Sequence, residues 1–201
     1  MTADLTNRPT ARLGEVVQSS TAQFIAYCHK LYDAPALGTL VKCGDNIAVY
    51  GVVADVRTQG IDPGRRPIAM GEHDASEEAI YRRNPQLSRL LTTEFTSVIV
   101  GYRDGESVRR YLPPLPPRIH SFVFDCSGEE IAGFSATMDF LPAMLSAPTG
   151  HPDDVVASFL RLASKHHPDP DAFLVASGKE IARQLTGQWQ RLNGILRRLS
   201  S

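Results

Sequence analysis

The run Gly44-Asp45-Asn46-Ile47-Ala48-Val49-Tyr50-Gly51-Val52-Val53-Ala54-Asp55-Val56 constrains this chain more than any other segment. It opens on a turn signal, then alternates in the manner of a strand with one face buried. It is long for a straight strand, and the interior Gly51 marks a bend or bulge of the kind that a small barrel needs at its corners. Shorter β-rich runs lie around it. The spacing predicts strands at 13–18, 22–28, 38–43, 46–57, 95–103 and 119–125. Thr96-Ser97-Val98-Ile99-Val100-Gly101-Tyr102 is the clearest of the later ones. The turn Arg103-Asp104-Gly105-Glu106 leads from it into a hairpin partner at 107–112. Short strands punctuated by Gly and Asp point to an α+β fold: a small, mostly antiparallel β-barrel carrying helical additions.

The helical additions are two. An insertion at 58–94 begins as loop by its Gly and Pro content. It continues into a short helix at 75–84, with Glu77 and Glu78 in the first turn and Arg82 and Arg83 in the last, an order that suits the helix dipole. Past residue 147 the periodicity turns helical. One helix carries Val155, Val156, Phe159, Leu160 and Leu162 and ends at Lys165-His166-His167-Pro168. A single long helix is then expected over 171–199. The domain organisation expected is a flexible N-terminus at 1–11, a barrel domain at 12–147 and a C-terminal helical segment at 148–201. Pro113-Pro114-Leu115-Pro116-Pro117 lies between two strand candidates and reads as a stiff polyproline connector across one end of the barrel.

The Leu13-Gly14-Glu15-Val16-Val17 opening, a strand with Phe24, the Gly44-Asp45 turn into a long strand, a helical insertion and a later Val-Ile-Val-Gly strand resemble the HerA–ATP synthase barrel family in order and spacing. The resemblance covers about residues 10–126. It implies a non-catalytic barrel of the sort that caps hexameric ATPases, and with it assembly with other proteins. It does not imply ATPase activity. A phosphate-cradling loop needs Gly, four residues, then Gly-Lys-Ser/Thr. The Gly178-Lys179 pair is followed by Glu180 and preceded at the required position by Phe173.

Composition narrows the function classes. The 201 residues carry a formal net charge of −1, without the basic excess of a general nucleic-acid binder. The longest apolar runs fall well short of a membrane span, which needs about 20 residues. The three cysteines, Cys28, Cys43 and Cys126, are far apart and form no zinc or disulfide pattern. Free thiols of this kind fit a reducing cytoplasm. No metal, cofactor or catalytic constellation is expected. Cys28-His29 are strand neighbours and face opposite sides. The adjacent His166-His167 chelate one ion poorly. Glu77-Glu78 and Glu129-Glu130 read as solvated capping charges at helix or turn starts.

Two features point instead to binding. The stripe Leu185, Trp189, Leu192, Leu196 and Leu199 on the expected terminal helix would pack on the chain's own barrel or on another chain, with Trp189 as its anchor. Arg65, Arg66, Arg82, Arg83, Arg109, Arg110 and Arg118 could form a cationic patch for phosphates or an acidic partner. The expected function is that of a non-enzymatic assembly or adaptor protein that binds a protein partner or itself, in association with a hexameric ATPase if the resemblance holds. The alternative is an OB-like barrel that binds single-stranded nucleic acid on a basic, aromatic face.

Overall fold

A computed structural model describes residues 11–44, 47–62, 64 and 67–200. Seven strands appear among them: β1 Arg12–Ser19, β2 Gln23–Cys28, β3 Leu40–Cys43, β4 Val49–Gly60, β5 Leu91–Asp104, β6 Ser107–Arg109 and β7 Phe122–Asp125. All pairings are antiparallel, in the order β2-β1-β7-β3-β4-β5-β6. A further β2–β5 pairing, from Gln23↔Val98 to Tyr27↔Glu94, closes the sheet into a ring, with β6 as an extra strand on β5. The α+β architecture expected from the strand spacing is the one observed.

Closure explains the alternation. Val49 and Val53 of β4, Phe95 and Ile99 of β5, and Val41 and Cys43 of β3 point into the ring with Val16, Phe24 and Val123. The residues between them, such as Leu40, Tyr50, Val52, Val98 and Val100, form the outer face. The β4–β5 register slips at Tyr50/Gly51, where the unpaired residue is Val100 of β5, and again at Val53/Asp55, where it is Ala54, so β4 itself bulges at Ala54 and not at Gly51. Gly51 is needed there for space: a Cβ would lie 2.9 Å from both the Phe24 ring and Ser97 Cβ. Gly44 has φ +95°, which a β-branched residue would resist. Asp45, its partner in the expected turn, lies outside the described residues.

Seven helices appear among the described residues: α1 Glu77–Arg83 and α2 Leu87–Leu90 in the insertion, then α3 Gly128–Phe134, α4 Leu141–Leu145, α5 Pro152–Ser164, α6 Pro170–Gln184 and α7 Trp189–Leu199. The last five share one apolar cluster with the outer face of the ring. An aromatic chain crosses that boundary, from Tyr50 to Phe134, Phe140 and Phe159, with ring centroids 5.2, 5.5 and 5.1 Å apart. α5 and α7 are further tied by Arg191, which bonds Asp153 at 2.8 Å and the Leu145 carbonyl at 2.7 Å.

Two expectations need correction. The terminal segment is not one helix but two, because the chain turns at Leu185–Gln188 and Gly187 takes φ +82°. Glu129-Glu130, expected as solvated capping charges at a helix or turn start, belong to a built cap. Ser127-Gly128-Glu129-Glu130 opens α3 with a capping box, in which Ser127 Oγ accepts from the Glu130 N–H at 3.2 Å and Glu130 Oε2 accepts from the Ser127 N–H at 2.9 Å.

Candidate functional site

The part of the molecule least used by its own core is the far end of the β4–β5 pair. β3 pairs β4 only over Val49–Val52, and β2 pairs β5 only over Glu94–Val98. Beyond that, Thr58–Gly60 and Leu91–Thr93 pair with each other and extend past the ring as a two-stranded ribbon. The Ile61 N–H donates to the Leu90 carbonyl at 2.9 Å and closes its tip. The insertion is mounted on that tip. Ser76 caps α1 by accepting from the Ala79 N–H, and α2 runs directly into β5.

A third segment reaches the same place. Tyr32 lies in the β2–β3 connection with φ +64°, and its N–H donates to Thr93 Oγ1 at 2.9 Å. Its phenol hydrogen-bonds that of Tyr81 on α1, with the rings edge to face. That hydrogen bond is the main cause that pushes the Tyr81 phenol up to about 12. Thr58 and Thr93 hydroxyls meet across the ribbon at 2.8 Å.

These segments enclose two adjoining cavities of about 940 and 590 Å³. Pro67, Ile68, Met70, Leu87 and Leu91 line both, so the two form one trough under the strap 67–72. The larger cavity adds Ile80, Tyr32, Tyr81, Glu72 and Glu77; the smaller adds Ile61, Leu90, Asp62 and Arg89. Apolar side chains are left open to solvent here: Ile68 is 78%, Leu90 56% and Ile61 55% exposed. The strap is held at one end by Arg83, which bonds Asp74 at 2.6 Å and the Met70 carbonyl at 3.3 Å. Neither α1 nor α2 contributes a buried residue to the molecule.

The expected stripe is divided by the break at Gly187. Leu185, Leu192 and Leu199 are buried in the chain's own core, while Trp189 is 71% and Leu196 36% exposed. Trp189 is therefore not an anchor of the described core. The expected arginines do not act alike either. Arg65 and Arg66 lie outside the described residues. Arg82 and Arg83 end α1, and Arg83 is engaged as above. Arg110 donates to the Phe134 and Gly133 carbonyls at 2.6 and 2.7 Å and stacks over the Phe134 ring, so it closes the C-terminal end of α3. Arg109 ends β6, and Arg118 is exposed on the proline-rich connector.

Two polar clusters escaped the reading of the sequence. Lys42 Nζ donates to both carboxylate oxygens of Glu130 at 2.6 and 2.7 Å. Arg103 stands 3.9 Å from the same carboxylate and donates to the Tyr50 hydroxyl at 2.8 Å. Glu130 is therefore not a solvated capping charge. Burial alone would raise its carboxyl, but the bonds from Lys42 and Ser127 hold it below the usual range. Its two oxygens are taken up by the cap and the lysine, which makes it a clamp of α3 onto the ring. In the second cluster the Ser135 hydroxyl meets His167 Nε2 at 2.8 Å, and His167 stacks on Phe173 with centroids 4.0 Å apart. The Ser135 hydroxyl also donates to the Ile131 carbonyl at 2.7 Å, and the residue is 1% exposed, closed off from any substrate.

Burial also raises all three thiols, Cys28 to about 11 and Cys43 to about 12, which leaves them protonated at neutral pH. Among the described residues no three His, Cys, Asp or Glu side chains gather as a metal site would require. No helix among them is long and apolar enough to cross a membrane. No family model matches the chain, and no curated protein matches it.

Proposed function

We propose that this protein is a non-enzymatic assembly or adaptor protein that binds another protein through the trough at the tip of the β4–β5 ribbon. The observation that carries this reading is the solvent-open apolar lining of Ile61, Ile68 and Leu90 on a segment that adds nothing to the chain's own core. Contiguous exposed apolar surface on a folded domain marks an interaction site more often than isolated exposed residues do. The ring supplies a rigid base, and the ribbon holds the trough away from it. Exposed Trp189 on α7 adds a second apolar contact point. If the resemblance to the HerA–ATP synthase barrel reflects kinship, the partner is a subunit of a hexameric ATPase. Nucleic-acid binding has less support, since Arg83 and Arg110 are engaged within the chain.

Light scattering and affinity purification of the wild-type chain against an Ile68→Glu/Met70→Glu variant test the reading. The expected outcome is a partner, or a self-associated state, that the variant loses while its melting midpoint is unchanged. Recovery of the same partners and the same mass by both would overturn it.

A further inference from the structure

The charge lining the larger cavity is, among the described residues, of one sign. Among the described residues, Glu72 and Glu77 are the charged side chains that line the larger cavity, and Asp62 and Arg89 are those of the smaller. Both described charges of the larger cavity are thus carboxylates, and the smaller has one of each sign. The rest of the described lining is uncharged, with Tyr32, Thr58, Tyr81 and Gln86 its polar members. The apolar part combines Met70 with branched Ile68, Ile80, Leu87 and Leu91. Such a surface takes apolar anchors of a helix laid into a groove, and methionine lets it adapt to their shape. Among the described residues, the strap's end is held by the Arg83 tether at Met70 and Asp74 and by the turn bond from the Asp74 N–H to the Gly71 carbonyl at 3.1 Å.

We infer that the occupant is a basic amphipathic segment of the partner protein, with apolar side chains seated between the strap and α1 and a lysine or arginine at the rim facing Glu72 and Glu77. This inference rests on the protein-binding reading above and adds the chemistry of what binds. Carboxylates at the rim contribute more to selection and on-rate than to total affinity, so the signature is a preference between charge types. The Tyr32–Tyr81 pair supports it, because phenol rings at the rim accept a neighbouring cation on their faces.

The test uses two short fluorescein-labelled amphipathic peptides, one of leucine and lysine and the other of leucine and glutamate, with a scrambled leucine–lysine peptide as control. Fluorescence anisotropy on the full chain should show the leucine–lysine peptide bound about tenfold more tightly than either of the others, with the preference shrinking in high salt. Glu72→Gln/Glu77→Gln should bring the two amphipathic peptides to within about twofold of each other. Both substitutions are on exposed residues, and an unchanged melting midpoint confirms that the fold survives. Ile68→Glu/Met70→Glu should weaken both amphipathic peptides. Equal binding of the two peptides, a preference for glutamate, no binding of either, or a lysine preference that survives Glu72→Gln/Glu77→Gln overturns the inference. Were the inference to fail while Ile68→Glu/Met70→Glu still removed the purified partner, protein binding at the trough would stand with a different kind of ligand.

Discussion

The inside of the ring and the tip of its ribbon are built from the same two strands, yet they do opposite things with apolar side chains. Along β5, Phe95 and Ile99 are fully buried, and along β4, Val53 is too. Just past the far ends of the same two strands, Ile61 and Leu90 stand more than half exposed. The difference comes from neighbours rather than from the strands. Within the ring each of the two strands has a second partner, β3 or β2, and helices behind; beyond it the pair has only itself, the insertion and the contact of Tyr32 from the β2–β3 connection. Stability resides in the first region and recognition in the second. The largest expected effect tests that division. Phe95→Ala should cost about 3–5 kcal/mol in denaturant unfolding, as for other large core truncations. Ile68→Ala should change stability by less than about 0.5 kcal/mol. A large loss at Ile68 would mean that the tip belongs to the core.

A second pair sharpens the comparison inside α7. Leu192 and Trp189 lie one turn apart on one short helix, but Leu192 is 5% exposed and Trp189 71%. Leu192→Ala should cost about 2–4 kcal/mol, and Trp189→Ala less than about 0.5 kcal/mol. The measurement is the denaturation midpoint at two protein concentrations. A concentration-dependent loss at Trp189 alone would place it in an interface between copies.

The ring was legible because its cause is local. Period-two alternation in residues 46–57 and 95–103, with Gly and Asp between strands, is what closure around a core requires, and all the expected strands appear. The short helix at 77–83 was legible from its charge order. The break at Gly187 was missed because spacings of three and four continue across it: Leu185 and Leu192 lie seven apart and both reach the core. Thr186-Gly187 was the available signal for a helix end. At α3 the sequence showed Glu129-Glu130 at a helix or turn start without deciding between the two, because Gly128 and Gly133 lower the local helix propensity. The capping-box spacing of Ser127 and Glu130 was the signal left unused. The trough was not legible at all. It needs Tyr32 from one connection, the strap 67–72 and the start of β5 at one point, and no spacing within any of these segments signals the others.

Glu130→Gln separates clamp from core. Lys42 would keep half of its partner, and the capping box would lose its charge. Breaking a charged, partly buried hydrogen-bond set of this size should cost about 2 kcal/mol. Lys42→Met in the same background should restore part of that, because it removes the cation left behind. The readout is unfolding at neutral pH. A loss for the double variant equal to the sum of the single ones would show that the pair is not coupled.

The smallest effect is one of pH, and it concerns the turn that follows α5. His167 touches Ser135 and Phe173. His166 sits against Gly128, where a Cβ would lie 2.7 Å from its Nδ1. Burial lowers both rings below their ordinary value, aided at His166 by Lys165 and at His167 by His166. Above the unfolded value, about 6.5, both folded and unfolded chains hold the rings neutral and stability does not depend on them. As the pH falls below that value the unfolded chain takes up protons first, so stability declines until the folded rings titrate in turn. Glu130 acts in the same direction at lower pH, because its depressed carboxyl stabilises the fold above the unfolded carboxylate value and loses that contribution as the pH falls through its own. The two limbs are therefore separable. His166→Gln/His167→Gln should flatten the decline between about pH 6.5 and 5 and leave the acid limb in place. Each ring is partly open to solvent, which screens its contribution to a fraction of a kcal/mol. Denaturant midpoints measured across that range check it. A decline that keeps its slope in the double variant would move the origin of the pH dependence away from this turn and back to the carboxylates.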